Sequence, residues 1–430
     1  MIKIRTKFII SEILIFILIA ISSFILVNST EEVQIGGIKY TKQTKNLNLS
    51  EFNNVEEIAQ KINQFYNLKV IDFGDTVITQ DEKKYLSEKY PYIKLKVVTL
   101  IKINNQFIRD DTTYLDLSNY NDPNNIEKVL LNFPLLKEVN LENLDLNNLE
   151  IANLFSKFPN INFKVNITIS QNKFNANVEH LDLSGMNLDF EELNKAIKLF
   201  SKLKSIDLSY SNLTNEECAQ LRTNNPNIDI NWVVHLGKWS LRTDAVAFSV
   251  LVYRFDYKRM TSQDIEVLKY CNKLKALDLG HQAITDVSVI GEYLTDLRVL
   301  ILADNKIADI SPLAKLKNLH YLELFMNQIS DLSPLQNSKQ LIDLNISNLK
   351  KLSDITPILD LPKLERLWVT NCKVSKENYE LLKNVYPNVQ ITTTGYGSTE
   401  SGWRKHPRYF QMIDMFHNNY YGEEFSKYDN

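Results

Sequence analysis

The sequence predicts an α/β solenoid. Coils of chain stack side by side, with a parallel β-sheet on the concave side, short helices or 3-10 turns on the convex side, and β-hairpin insertions in the amino-terminal half. Three observations predict it. Between Leu274 and Val374 the pattern L-x-x-L-x-L-x-x-N-x-I returns with opening leucines at Leu274, Leu297, Leu319, Leu341 and Leu364, one coil every 22 to 23 residues. A longer period organises the first half. IGGIKYTKQTKNLNLS from Ile35, INNQFIRDDTTYLDLS from Ile103, ISQNKFNANVEHLDLS from Ile169 and LGKWSLRTDAVAFSVL from Leu236 start 68, 66 and 67 residues apart. The third observation is a shared ending. PYIKLKV from Pro91, PNINFKV from Pro159 and PNIDINW from Pro226 come back as PNVQITT from Pro387. Beginning and end use one plan, which favours a continuous array over two unrelated domains.

Each long module opens on a turn rich in Gly, Asn or Ser between apolar residues, the signal of a hairpin. An alternating strand follows, with pairs such as Leu115 and Leu117 on one face. A second strand comes next, VIDF at Val70, EVNL at Glu138 or SIDL at Ser205. Then an amphipathic segment begins, which Thr79 or Thr214 is placed to cap, with carboxylates in the first turn. A module of about 67 residues therefore reads as two repeats plus a hairpin insertion. The later coils are leaner. Ser311-Pro312, Ser333-Pro334 and Thr356-Pro357 recur at the coil spacing, the hydroxyl suited to cap a short turn and the proline to its first position.

Leu300 and Leu302 face inward, as do Leu322 and Leu324, and no single coil can bury them alone. Asn305 and Asn327 hold the turn position, where a side-chain amide can bond neighbouring backbone, and Cys372 falls at the matching place in the last coil. In the first half that position holds Phe52, Tyr120, Met186 or Ser211. After the linker GYGSTESG comes WRKHPRYFQMIDMF, with Phe410, Ile413 and Phe416 on one helical face. An open solenoid end exposes core leucines, so residues 403–416 are expected to close it. The expected organisation is a signal anchor or signal peptide over 1–29, divergent repeats with hairpins over 30–235, regular repeats over 236–394 (coils at 274–386), and linker and cap over 395–430.

Lys3, Arg5 and Lys7 precede an apolar run from Phe8 to Val27. Twenty such residues make about 30 Å of helix, enough to cross a bilayer with the basic flank inside and the rest of the chain outside. Val27 to Ser29 also allow cleavage as a signal peptide. The net charge of -3 gives no basic field to draw nucleic acid. Three widely spaced cysteines, Cys218, Cys271 and Cys372, argue against a disulfide framework or a cysteine zinc site.

The L-x-x-L-x-L-x-x-N-x-I coils resemble the leucine-rich repeat family, whose solenoids form horseshoes. From Trp239 to Phe416 the order of TSQDIEVLKY, the ADISPLAKL-type coils and GWRKHPRYFQMIDMF is similar to a group of bacterial surface-type leucine-rich repeat proteins with internalin-like coils. That resemblance implies architecture and export, and no reaction.

Exposed strand positions of such an array form the usual contact surface. The central column reads Asn48, Asp72, Asp116, Asn140, Asp182, Asp207, Asp278, Ile301, Glu323, Asn345, Trp368, acidic or amide at first and apolar later. Val299, Tyr321 and Phe325 flank it, and Arg366 lies beside Trp368. Aromatic residues and arginine are enriched at interface hot spots, so Val299, Ile301, Tyr321, Glu323, Phe325, Arg366 and Trp368 form the expected ligand-binding patch, for a protein or peptide. Catalytic patterns are missing. No H-E-x-x-H, G-x-x-x-x-G-K-[ST] or G-x-S-x-G is present, and the cysteine contexts CAQ, CNK and CKV lack a Cys-x-Asp motif. The expectation is a non-enzymatic recognition protein outside the cell, tethered or secreted, with no cofactor and no catalytic or metal site. The alternatives are an envelope spacer or a specificity subunit for a separate enzyme.

Overall fold

The computed structural model describes residues 17–19, 31–52, 54–250, 258–395 and 402–422. The expected membrane segment over 1–29 lies outside them, apart from the helical residues Ile17 to Ile19. Among the described residues no helix is long and apolar enough to cross a membrane. Contacts divide the chain into two compact units, Met1–Asn177 with Ala196–Ser201, and Val178–Lys195 with Lys202–Asn430.

All four expected hairpins form, each antiparallel. They pair Glu32–Ile35 with Ile38–Thr41, the end of Lys94–Ile103 with Gln106–Arg109, Asn166–Ile169 with Asn172–Asn175, and Val233–Leu236 with Trp239–Arg242. A module is richer than two repeats, however. Each carries three parallel strands: Asn46–Asn48, Val70–Thr79 and Lys94–Ile103 in the first, Tyr114–Asp116, Glu138–Asn140 and Asn162–Lys164 in the second, and His180–Asp182, Ser205–Asp207 and Asp229–Asn231 in the third. The hairpin follows the third strand in the place where other coils put a convex helix. Its return ties back to that coil, with Asp110 N–H donating to Thr99 O, Ala176 N–H to Val165 O and Thr243 N–H to Trp232 O. These bonds occupy backbone groups that would otherwise extend the ladder, so each module keeps its own short parallel sheet in place of one uninterrupted ladder.

The second unit also carries the long sheet. Ala247–Ser249, Ala276–Asp278, Val299–Ile301, Tyr321–Glu323, Asp343–Asn345, Arg366–Trp368 and Gln390–Thr392 pair in parallel, in chain order. Leu277, Leu300, Leu322, Leu344 and Leu367 align in register and are fully buried on the core side. Asn305 Nδ2 donates to Leu279 O and Asn327 Nδ2 to Leu302 O, both at 2.9 Å, linking each coil to the one before. Cys372 Sγ does the same to Ile346 O at 3.3 Å. Leu349 fills the position in between and has no donor, so the ladder skips that coil.

Convex helices begin where the sequence places their caps. Thr79 with Glu82 and Thr214 with Glu217 form reciprocal capping boxes, as does Asn147 with Glu150. Such a cap stabilises by about 1 kcal/mol. The lean coils differ from expectation. Their 3-10 turns Ser311–Lys315, Ser333–Asn337 and Thr356–Ile358 carry proline in the first turn, but the capping acceptor is the preceding aspartate. Asp309, Asp331 and Asp354 accept from Ser311, Ser333 and Thr356 N–H, each at 2.8 Å. One glycine is needed for stacking these turns. A Cβ on Gly291, in the helix Ser288–Tyr293, would sit 2.2 Å from Pro312 O of the next coil.

Candidate functional site

The central column forms in register within each sheet, and its residues have a local structural duty. Asn48, Asp72, Asp116, Asn140, Asp182, Asp207, Asp278 and Asn345 each accept, through Oδ1, the N–H two residues on, at 2.9–3.1 Å. That Asx turn bends the chain away from the sheet, ending the strand in every case but Asp72, where Val70–Thr79 continues after a register shift. The column is also less acidic than the sequence reading held. The third strand of the first two modules brings Lys96 beside Asp72 (3.2 Å) and Lys164 beside Glu138 (2.8 Å). In the modules the outward strand positions are exposed or half-buried, except Asn231, which is buried.

In the long sheet the arrangement reverses. The seven residues expected as an exposed patch are all covered: Val299, Ile301, Tyr321, Glu323, Phe325, Arg366 and Trp368 are 0 to 5% exposed. The cover is the chain's own tail. A 3-10 turn at Trp403–Lys405 leads into the helix Pro407–Asn418. Trp403, Met412, Met415 and Phe416 pack on Ala247, Ala276, Val299, Ile301, Tyr321, Phe325 and Trp368. The expected cap at the solenoid end is therefore a lid on the outward side chains of the long sheet. Its buried side also differs from the expected one: Arg408, Met412, Met415 and Phe416 turn inward, while Phe410 is 62% exposed.

The helix axis runs across the strands. Arg408 near its start meets Asp343, and Asn419 just past its end accepts from Val246 and Ala247 N–H at 2.8 and 3.1 Å on the first strand of the sheet. Twelve helical residues span about 18 Å, and four strand steps span about 19 Å. The tail thus has the length needed to cross from the Asp343 strand to the Ala247 strand.

Two polar clusters fix its register. Asp343 is gripped by two arginines at once. Arg366 donates from Nε and Nη2 at 2.9 and 2.7 Å, and Arg408 from Nε and Nη2 at 2.9 Å each. Arg408 Nη1 also reaches Glu365 Oε2 at 2.6 Å. Bidentate pairing at full burial holds all three charges, since removing one would strand the others in low dielectric. In the second cluster Trp403 Nε1–H donates to Glu323 Oε1 at 2.7 Å, and Tyr321 Oη–H donates to the same oxygen. The Trp403 ring lies tilted 5.4 Å from Tyr321 and edge-on 5.0 Å from Trp368, with the Arg366 guanidinium 4.4 Å from its centre. Burial raises the Glu323 and Tyr321 pKa values, and raises that of Asp278, in the same column, to about 6.

The fit is uneven. Each buried apolar anchor of the tail contributes on the order of 1.5–3 kcal/mol. Against that, buried Glu323 Oε2, Asn345 Nδ2, Trp368 Nε1 and Thr370 Oγ1 on the sheet, and Arg404 Nε and Gln411 Oε1 on the tail, have no hydrogen-bond partner among the described residues. Each such atom costs about 1–3 kcal/mol.

Cys218, Cys271 and Cys372 are free, and burial pushes the Cys218 and Cys271 thiols up to about 12. His281 sits at a strand end against Asp304 Oδ2 at 3.0 Å. Among the described residues no cluster of three or more His, Cys, Asp or Glu could hold a metal.

Residues 295–337 match the model of leucine-rich repeats, in two copies, and so cover two of the regular coils. No curated protein matches the chain. Solved structures similar to it include internalin C2 of Listeria monocytogenes, 25% identical over 48% of this chain and 84% of that one, with a TM-score of 0.29. Another is the internalin InlF of the same organism, 18% identical over 83% and 84%, with a TM-score of 0.31. A third is a leucine-rich repeat protein of Leptospira interrogans, 20% identical over 82% and 93%, with a TM-score of 0.31. Superposition over the whole length is poor at these scores. The solenoid assignment stands on the strand ladder itself and on the match at 295–337, and that architecture is one that presents binding surfaces for other proteins.

Proposed function

We propose that the chain is a surface recognition protein of the kind that combines internalin-like coils with a GWRKHPRY tail. It binds a protein or peptide partner outside the cell by non-covalent contact on the concave face of its long sheet. The contact residues are Val299, Ile301, Tyr321, Glu323, Phe325, Arg366 and Trp368. Residues 1–29 tether the chain to the membrane or direct its secretion; the basic flank and apolar run in the sequence support this.

One observation carries the reading. This face already holds a polypeptide turn and helix, through tilted and edge-on aromatic contacts and an aspartate that accepts from two arginines. Those are the features of a helix-in-groove recognition site. The test uses the full mature chain with the tail weakened by Met412→Ser and Phe416→Ser, presented to surface and secreted proteins. A specific partner is expected to bind this chain, and to be lost when Tyr321→Ala, Phe325→Ala and Trp368→Ala are added. A partner retained equally by the triple variant sinks the assignment.

The spacer reading is favoured by the same burial, because a permanently covered face touches nothing else. It predicts that weakening the tail lowers stability and gains no partner.

A further inference from the structure

Deepening the function proposed above, we infer that the tail 402–422 is a displaceable occupant. Its site is built for an amphipathic helix of a second protein. That partner segment presents an aromatic residue in a turn ahead of the helix, an arginine five residues further on in the first helical turn, and long apolar side chains four and seven residues beyond, as Trp403, Arg408, Met412 and Met415 do here. The inference rests on the reading that this face recognises protein.

Three observations converge. The first is that the face is fully formed without backbone help from the tail. Tail and sheet meet through side chains, except at the Trp403 carbonyl, which accepts from Arg366 Nη1 at 3.2 Å, and at the Asn419 amide, which meets backbone N–H of the first strand. No strand of the parallel ladder is contributed by residues 402–422. The second is specificity. Asp343 takes one arginine from its own sheet and one from the tail, so the site has a slot for exactly one incoming guanidinium. The aromatic slot is equally defined, since Tyr321, Trp368 and the Arg366 guanidinium surround one ring, and Glu323 waits for its N–H.

The third is the incomplete match. Trp368 Nε1 and Asn345 Nδ2 are buried donors and Glu323 Oε2 a buried acceptor that the tail leaves unmet, while the tail brings its own unmet Arg404 Nε and Gln411 Oε1. A segment selected only to plug this face would pair them. A helix with a carboxylate or amide oxygen over Trp368 and Asn345 keeps the tail's anchors and gains bonds the tail does not make. The tail's advantage is its tether. A short linker gives it an effective concentration of about millimolar, so a free helix competes only when it binds well below that.

The experiment places a site-specific protease sequence at 397–400 of the full chain and uses a fluorescent synthetic peptide of residues 402–422 as probe. Before cleavage the probe is expected to bind at least ~100-fold more weakly than after it, because the tether is intact. After cleavage the native tail should exchange for the probe while the chain keeps its cooperative melt. Probe peptides carrying Arg408→Ala or Trp403→Ala should bind at least ~10-fold more weakly, and a scrambled peptide not at all. A cleaved chain that holds its tail against excess probe for days, or that unfolds when the tail leaves, overturns the inference in favour of a structural segment. Dimers of the uncut chain held by exchanged tails overturn it in favour of a second copy as the occupant. The readout needs no natural partner, so a failure to find one would count against the proposed function and leave this result standing.

Discussion

The modules of the first half and the long sheet of the second unit share a strand register and face opposite environments. In Tyr114–Asp116 or His180–Asp182 only the middle residue is buried, and the flanking side chains meet solvent. In Val299–Ile301, Tyr321–Glu323, Asp343–Asn345 and Arg366–Trp368 all three positions are buried. Coil geometry is common to both, so the difference comes from the outward residues. Asp, Asn and Lys close Asx turns, pair with one another and remain solvated, as Asp72 does with Gly74 N–H and Lys96. Valine, isoleucine, tyrosine and tryptophan on the same face make a contiguous apolar surface that water does not satisfy, and a second layer comes to rest on it. A repeat protein can thus specify an open or an occupied face without changing its backbone.

The largest expected test of this contrast is Asp343→Ala against Glu138→Ala, two carboxylates in matching flanking columns. Asp343 is fully buried with two guanidiniums, which the substitution would strand, and a loss of about 3–5 kcal/mol in the unfolding of the second unit is expected. Glu138 is half-buried and pairs with Lys164 at the surface, so its removal should cost no more than about 1 kcal/mol. Denaturant unfolding of the full chain measures both. Equal losses would mean that the covered face is no more demanding than the open one.

Much of the array was legible in the sequence. The turns at Ile35, Ile103, Ile169 and Leu236, the leucine register and the caps Thr79 and Thr214 are local signals, set by residues a few positions apart. What escaped is long-range. Lys96 and Lys164 entered the column only once the proline-led strands were counted as full members of each module. The capping aspartate stands two residues before each Ser-Pro or Thr-Pro pair, where the hydroxyl beside the proline is the more obvious cap in the sequence. The tail was placed at the solenoid end by a general need for caps, although VLIL, YLELF and RLWV are apolar on both faces, which is the pattern of strands covered on both sides. The aromatic and arginine residues of the expected patch lie together on the long sheet, but what covers them comes from the same chain, 37 to 80 residues away in sequence.

A second test removes the lid's main anchor. Trp403→Ala is expected to cost about 3 kcal/mol, near the lower end for a buried tryptophan because the tail can settle or detach. Hydrogen exchange at the outward strands separates the regions. Protection should fall at Val299–Ile301 and Tyr321–Glu323 and stay unchanged at Glu138–Asn140, in the first unit. Loss of protection throughout both units would show that the tail supports the whole array and not one face.

The smallest effect lies in one column, where Asp182 and Asp278 make the same Asx turn in opposite surroundings. Hydrogen bonds from Ser184 hold the Asp182 carboxyl below its ordinary value, so its stabilisation is present above about pH 4 and is lost as pH falls further. Burial raises Asp278 to about 6 from an ordinary 3.8, with Ser249, Gly280 and His281 only partly offsetting it and Glu323 adding to it. Its contribution is therefore complete below about pH 4 and is lost as pH rises through 6. Asparagine suits this position, as Asn345 shows by accepting from Ser347 N–H at 3.1 Å two coils away from the Ile301 strand. Asp278→Asn should then gain on the wild type as pH rises from 4 to 7, by about 2 kcal/mol, whereas Asp182→Asn should fall below the wild type above about pH 4 and close the gap at the acid end. Taking each difference at the same pH cancels His320 and His406, whose pKa values burial and neighbouring cations depress to about 4 and which destabilise every variant alike on acidification. Unfolding curves at a series of pH values decide the matter. If the two variants follow the wild type in parallel, Asp278 is not shielded from water and the lid over the column is open in solution.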